Sequence, residues 1–310
     1  SGPNGLTSLN AQTGTLDYVG QQGEKLNLTN GSLDLTRDEK GYITSANGSV
    51  DTLNYTGASG DTLSTTHSQF SITGGENGLT SLNAQTGTLD YVSQQGEKLN
   101  LTNGSLDLTR DEKGYITSAN GSVDTLNYTG VSGDTLKVAD ASFSATGGEN
   151  GLTSLNAQTG SLEYLSQKGE KLNLTKGSLN LTRDANGYIT SANGGADTLN
   201  YTGTKGEQLD ITGLNFSMTG GENGLQTANI QTGTLDYTGE KGDKLNLVNG
   251  SLDLTQDANG NLTSASAKAD SFNFTNVDGE TLNATNASVS MTGGEKGLET
   301  LNVSLGTLNY

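Results

Sequence analysis

The chain has no cysteine and no tryptophan, and its 310 residues include a single proline and a single histidine. Without cysteine there is no disulfide framework, no thiol nucleophile and no cysteine-based metal site, and the redox compartment stays undetermined. The lone His67 has no cysteine or second histidine to work with, so it predicts no catalytic role. Because proline cannot donate to a β-ladder, its restriction to Pro3 leaves the rest of the chain free to form paired strands.

Basic residues are also scarce, with 16 Lys and Arg against 34 Asp and Glu and a net charge of −18. Nucleic-acid phosphates require clustered Lys and Arg, so this acidity excludes a nucleic-acid partner. Mean hydropathy is −0.50, and no apolar run approaches the length of a transmembrane helix. Composition rich in Asn, Thr, Ser and Gly favours an extracellular or cell-surface location.

What the chain does contain is a repeat. The segment GLTSLNAQTGTLDY begins at Gly5, returns at Gly78 and Gly151, and recurs in altered form at Gly224 and Gly297, always 73 residues apart. Repeats in this range are typical of stacked arrays whose units bury apolar surface against their neighbours. A catalytic site requires a set of residues that occurs once in the chain. Because the repeats carry nearly the same residues, the sequence predicts a protein that is not an enzyme.

The repeat predicts a division of the chain into a leader or vector-derived scar, four repeats and a truncated fifth. The predicted segments are 1–4, 5–77, 78–150, 151–223, 224–296 and 297–310.

Each repeat consists of two similar half-units of 36 and 37 residues, in which large apolar side chains come in pairs two positions apart. Period two indicates strands with one buried face, and no segment shows the spacing of an amphipathic helix. We therefore expect an all-β, elongated repeat array with essentially no helix. The predicted core ladder consists of Leu16, Tyr18, Leu26, Leu28, Leu33, Leu35, Leu53, Tyr55, Leu89, Tyr91, Leu99, Leu101, Leu106 and Leu108.

Turn residues separate the pairs at Gly20–Glu24, Thr29–Ser32, Arg37–Gly41 and Gly57–Asp61. Asn30-Gly31 is a strong hairpin signal and favours a bent antiparallel β-meander. The equivalent half-unit has His67 and Ser68 there, so a parallel β-solenoid remains open.

Ala11 to Tyr18, Leu26-x-Leu28 and Gly31-x-Leu33-x-Leu35 resemble the rhythm of OstA-like repeats of periplasmic lipopolysaccharide-transport proteins. That resemblance implies a bent antiparallel sheet whose apolar groove carries acyl chains. The regular tandem copies are equally similar to filamentous-haemagglutinin-like β-helical adhesin shafts, which implies a structural role.

Acidic residues recur at equivalent positions, and Glu24, Asp61, Glu97 and Asp134 are weak candidates for contact with a divalent ion. The segment Gly74–Leu82 resembles the nonapeptide calcium roll but lacks its aspartate, so calcium is a minor alternative and no cofactor is expected.

One tyrosine column runs through the repeats, from Tyr18 and Tyr55 to Tyr237. We expect an internal stack, with each ring lying over the next. An exposed strip for carbohydrate or surface contact is the alternative.

The sequence favours a structural spacer or fibre-shaft segment of a large bacterial surface or secreted protein of the adhesin, biofilm or filament type. Its partners would be neighbouring copies of the same repeat or the same protein. The alternative is an OstA-like conduit for lipid or lipopolysaccharide in the cell envelope, with a periplasmic location. Only that alternative implies a lipid partner.

If stability comes from neighbouring units, residues 78–150 alone should be largely unfolded. Segments of two and then three repeats should melt at progressively higher temperature. Circular dichroism melts of this series test the prediction, and equal melting temperatures for all lengths would contradict it.

Overall fold

The computed structural model describes residues 6–310, and every regular element in that range is a β-strand. The predicted leader at 1–4 lies outside the described residues. Two compact units divide the chain, one ending at Thr153 and the other beginning at Ser154.

The strands of the first unit are long, with 12 to 15 residues each. They are β1 Ser8–Val19, β2 Lys25–Arg37, β3 Ile43–Thr56, β4 Thr62–Gly75, β5 Gly78–Val92, β6 Lys98–Arg110, β7 Ile116–Thr129 and β8 Thr135–Gly148.

The second unit contains the same kind of strands, the first of which starts just before the boundary. They are β9 Gly151–Leu165, β10 Lys171–Arg183, β11 Ile189–Thr202, β12 Gln208–Gly221, β13 Gly224–Thr238, β14 Lys244–Gln256, β15 Leu262–Thr275, β16 Thr281–Gly294, β17 Gly297–Ser304 and β18 Thr307–Asn309.

Each unit is an antiparallel meander in which consecutive strands pair. In the first unit β1 to β8 pair in chain order, and in the second β9 to β16 do the same. Both β17 and β18 pair with β16. The all-β prediction is confirmed, and of the two arrangements left open the antiparallel meander is correct. From β1 to β17, strands two apart begin 35 to 38 residues apart, which matches the half-unit.

Three of the four predicted turns are confirmed. The amide of Gly20 donates to the Glu24 carbonyl at 2.8 Å, Gly57 donates to Asp61 at 2.8 Å, and Gly41 donates to Asp38 at 3.0 Å. Each turn contains a glycine at positive φ, such as Gly23 at 92° and Gly60 at 95°, a conformation that glycine adopts without steric cost.

The predicted hairpin at Asn30-Gly31 is wrong, because both residues lie inside β2. Asn30 does adopt the left-handed conformation that the dipeptide favours, with φ of 49°. The chain continues as a strand beyond it, since Thr29 and Ser32 pair with Thr52 and Ser49 of β3. A left-handed residue here produces a kink within the strand instead of a turn.

The kink recurs in every even-numbered strand from β2 to β16. We call these eight positions, spaced alternately 37 and 36 residues apart, the left-handed row: Asn30, His67, Asn103, Asp140, Lys176, Gly213, Asn249 and Asn286. His67 is therefore a strand residue, not the turn residue that its sequence context indicates. Four members bond to an aspartate on the following strand, through the pairs Asn30–Asp51, Asn103–Asp124, Lys176–Asp197 and Asn249–Asp270.

The left-handed row bends each sheet. Leu28 and Gly31, on either side of Asn30, share one face: a Cβ built on Gly31 would lie 2.8 Å from Cδ1 of Leu28. On the other face Thr29 and Ser32 do not bond to each other but to different residues of β3, Thr52 and Ser49. Side chains thus converge on one face and diverge on the other, so the first face lies inside the bend.

The inner face is apolar and the outer face is polar. Leu26, Leu28, Leu33 and Leu35 line up with apolar residues of neighbouring strands on the inner face. On the outer face, hydroxyl and amide groups form ladders across the strands, including Thr29 with Thr52 at 2.7 Å, Thr66 with Thr88 at 2.8 Å and Asn27 with Asp17 at 2.5 Å. Such cross-strand pairs support a sheet whose outer face is solvated.

The predicted core ladder does not form a closed core in either unit, because within residues 6–310 neither unit covers its inner face with a second layer of its own strands. No described side chain is completely buried, and the buried residues are mostly alanines and glycines, such as Ala46, Ala228 and Gly48. Leu16 and Tyr18 of the predicted core ladder are 39% and 57% exposed. The remaining ladder residues lie on the same face in half-buried or exposed positions.

Asn103→Val should destabilise the protein by about 1–2 kcal/mol, because a β-branched residue is strained in the left-handed conformation. Asn103→Gly should stay within about 0.5 kcal/mol of the wild type, since glycine adopts this φ freely. Asn127→Val, on the exposed outer face, is the matched control and should also stay within about 0.5 kcal/mol. Urea unfolding measures all three, and equal effects of the two valine variants would contradict the role of the row.

Candidate apolar trough

The inner face of each bent sheet forms a trough that runs across the strands. In the first unit one wall follows the cross-strand pairing through Leu28, Leu53, Thr65, Leu89, Leu101 and Leu126, so Thr65 is its one polar member. On the other side of the bend lie Leu33, Gly48, Phe70, Ala84 and Leu106, again paired in sequence. The sequence-predicted leucines therefore come together, but as the walls of an open trough.

Small residues form the floor between these walls, among them Gly31, Val50, Ser68, Thr86 and Gly104. A Cβ on Gly31 would lie 2.8 Å from Cδ1 of Leu28 and 3.3 Å from Cγ2 of Thr13, so a side chain there would require Leu28 to move. The small floor residues leave space above them that larger side chains would fill.

That space is a cavity of about 560 Å³ in the first unit. Its lining runs from β2 to β7 and includes Leu53, Leu63, Phe70, Leu89 and Leu101. The second unit has a cavity of about 410 Å³ lined by Ile230, Leu235, Leu247, Phe272 and Val289. Both volumes fall within the range of small-molecule sites, which are concave and largely apolar.

Tyrosines and leucines alternate along one rim of the trough. In the first unit the cross-strand order is Tyr18, Leu26, Tyr55, Leu63, Tyr91, Leu99, Tyr128 and Leu136. The prediction that each tyrosine ring stacks on the next is wrong, since a leucine separates successive tyrosines. Tyr55 is 40% exposed. Burial together with the nearby Glu97 carboxylate raises the pKa of Tyr128.

The predicted acidic column lies in the turns beside this rim, where Glu24 and Asp61 accept hydrogen bonds from turn residues and Glu97 accepts one from the Tyr128 hydroxyl at 3.3 Å. The Glu24 carboxylate accepts from the backbone amide of Gln22 at 3.1 Å. The Asp61 carboxylate accepts from the Ser59 hydroxyl and from the backbone amide of Gln94, each at 2.6 Å. These bonds, led by the one from Ser59, lower the pKa of Asp61. Within residues 6–310 there is no group of three or more acidic or histidine side chains placed to hold a metal ion.

One feature of the trough was missed from the sequence. Thr65 of β4 projects into the first cavity together with Ser68 and Thr86, and the three hydroxyls contact one another. The sequence does contain a signal for it at the positions of Thr65 and Ser68. The equivalent strands of the other repeats, β8, β12 and β16, have apolar residues there.

No family model and no curated protein matches the chain. Among solved structures, the TCP10 domain of Danio rerio CPAP in complex with a peptide of Danio rerio STIL is 11% identical, with 80% of this chain and 96% of that chain covered and a TM-score of 0.13. A porin-like protein from Bacteroides uniformis is 10% identical over 97% of each chain, with a TM-score of 0.14. Likenesses at this level support no argument about fold or function. The part of the chain that the structure describes contains no helix long and apolar enough to cross a membrane.

The lowered pKa of Asp61 makes its contribution to stability depend on pH. A carboxyl group whose folded-state pKa is depressed stabilises the fold above its unfolded pKa of about 3.9, and this contribution is lost as the pH falls through the folded value. Asp61→Asn should therefore lower the melting temperature at pH 7, and the difference from the wild type should disappear on acidification below about pH 3.9. Calorimetry across this range measures it, and a difference independent of pH would contradict the assignment.

Proposed function

We propose that the chain is a non-catalytic repeat scaffold of the bacterial cell envelope or surface that binds linear apolar molecules, such as the acyl chains of lipids, in its troughs. The observation that carries the proposal is the concave apolar inner face, which neither unit covers with its own strands. Because each sheet has a single layer, Leu106 and Phe70 of the first cavity are 36% and 37% exposed. Covering such surface contributes roughly 25 cal/mol per Å² of apolar area.

The dimensions of the trough suit an extended chain. The first cavity crosses β2 to β7, which corresponds to about 24 Å at a strand spacing of about 4.8 Å. An acyl tail occupies about half of the ~30 Å hydrocarbon thickness of a bilayer. One tail therefore fits within the first cavity. The lining contains no lysine, arginine, aspartate or glutamate, as an apolar occupant requires.

A structural spacer or fibre-shaft role is the second candidate, and the regular recurrence of strands every half-unit favours it. In that role the acidic outer face keeps neighbouring molecules apart, and the partners are copies of the same repeat or the same protein. The two roles are compatible in one secreted or surface-exposed protein, with a periplasmic location under the lipid-binding function.

A single tryptophan can report binding, because the natural chain has none. Tyr55→Trp places the reporter on the inner face, beside the first cavity. Its neighbour Asn54 lies on the outer face, where it accepts from the Ser64 hydroxyl at 2.7 Å, so Asn54→Trp is the matched control. Titration with sodium laurate below its micelle concentration should shift the emission of the first variant to shorter wavelength and leave the second unchanged.

Adding Val50→Phe to the Tyr55→Trp variant should abolish the shift, because a larger ring on the floor occupies the cavity. Equal responses from both tryptophans would indicate adsorption to the whole surface. That outcome, or no response at any subsaturating concentration, would contradict the proposed binding function.

A further inference from the structure

Strand β4 differs from the equivalent strands at two inner-face positions that flank its kink, one in the wall and one on the floor of the trough. The positions of Thr65 and Ser68 are occupied by Val138 and Ala141 in β8. The equivalent residues are Ile211 and Leu214 in β12, and Ala284 and Ala287 in β16. Only the first repeat therefore places two hydroxyl groups at these points of an otherwise apolar surface.

These hydroxyls form a compact cluster with Thr86 of the neighbouring strand β5. The Oγ1 atom of Thr65 lies 2.8 Å from Oγ1 of Thr86, and Oγ of Ser68 lies 2.9 Å from the same Thr86 atom. Thr65 and Ser68 also contact each other across the kink at His67. Thr65 is only 8% exposed, which makes it one of the few buried polar residues of the protein.

The cluster has more acceptor capacity than donor capacity. Thr65 and Thr86 each have the Thr88 carbonyl oxygen within donating distance, at 2.7 and 2.8 Å. Each hydroxyl carries one hydrogen and two lone pairs. All three hydrogens are engaged within the cluster. The oxygens of Thr65 and Thr86 each have three oxygen neighbours, which fill their tetrahedral positions, whereas Oγ of Ser68 has two and keeps one lone pair free to accept.

We propose that the hydroxyl cluster of Thr65, Ser68 and Thr86 is a polar anchor in the first cavity that selects linear aliphatic ligands carrying a hydrogen-bond donor, such as a long-chain alcohol. This inference rests on the proposed apolar binding function and adds a specificity to one of its two cavities. Ligand sites commonly combine an apolar lining with a few placed polar groups. An ionised carboxylate offers only acceptors, so it gains nothing from a cluster whose hydrogens are already engaged.

Isothermal titration calorimetry with dodecanol and with undecyl methyl ether tests the anchor, because the two probes have the same number of heavy atoms and differ in the O–H donor. The wild type should bind the alcohol roughly 3- to 10-fold more tightly than the ether, as expected for one neutral hydrogen bond. The double variant Thr65→Val with Ser68→Ala should lose that preference and still bind both probes. These substitutions reproduce the residues of the second repeat, which the fold already accommodates.

Thr66→Ala is the matched control, since it also introduces the second-repeat residue but removes a hydroxyl from the outer face, where Thr66 pairs with Thr88. It should keep the preference of the wild type. If the wild type binds alcohol and ether equally, the anchor is refuted while apolar binding stands. If it binds neither, both proposals fail. If the double variant still prefers alcohol to ether, the anchor is also refuted. If the double variant unfolds, Thr86→Val provides the second check and should likewise reduce the preference for the alcohol.

Discussion

The left-handed row is the constraint on which the rest of each unit depends. One residue in every second strand takes a conformation that non-glycine residues adopt only at a cost of roughly 1–2 kcal/mol. Because these residues occupy equivalent positions, the kinks fall in register and the sheet bends along one line. Kinks out of register would break the ladders, whereas aligned kinks keep antiparallel pairing on both sides of the bend. The bend then brings Leu28 against Gly31 and makes the apolar face concave.

A bent single layer is stabilised differently from a globular core. Its largest side chains remain partly exposed, so hydrophobic burial per residue is modest, and backbone ladders and outer-face side-chain ladders supply much of the order. The Asn–Asp pairs of the left-handed row lie on exposed surface, where such contacts contribute little individually. The repeated strand pairing compensates for these small individual contributions, because each interior strand is held by neighbours on both sides. The same lack of a second layer leaves an apolar trough open to a ligand.

Much of this arrangement follows from the sequence, through particular residues. The pairs Leu26 with Leu28 and Leu33 with Leu35 predict strands with one apolar face, and the glycine-containing turns lie where the sequence places them. Asn30-Gly31 misleads because a left-handed residue serves equally in a hairpin or in a kinked strand, and local chemistry does not distinguish them. The row itself is hard to recognise, since Asn, His, Asp, Lys and Gly share a backbone conformation and not a side-chain type. Thr65 and Ser68 form an anchor only because the kink brings them together with Thr86, a three-dimensional relation that strand periodicity does not contain.

The central claim, that the apolar face of each unit is concave and uncovered, is tested most directly by solvent paramagnetic relaxation of methyl groups. In a protein with labelled leucine methyls and a soluble gadolinium chelate, the account predicts that Leu53, Leu89, Leu101 and Leu106 relax markedly faster than methyls of a packed core do. The methyl of Ala46, which is 8% exposed, provides an internal reference for a protected site once alanine methyls are labelled as well. Protection of the four leucines equal to that of Ala46 would mean that another layer covers the face, and would contradict the account.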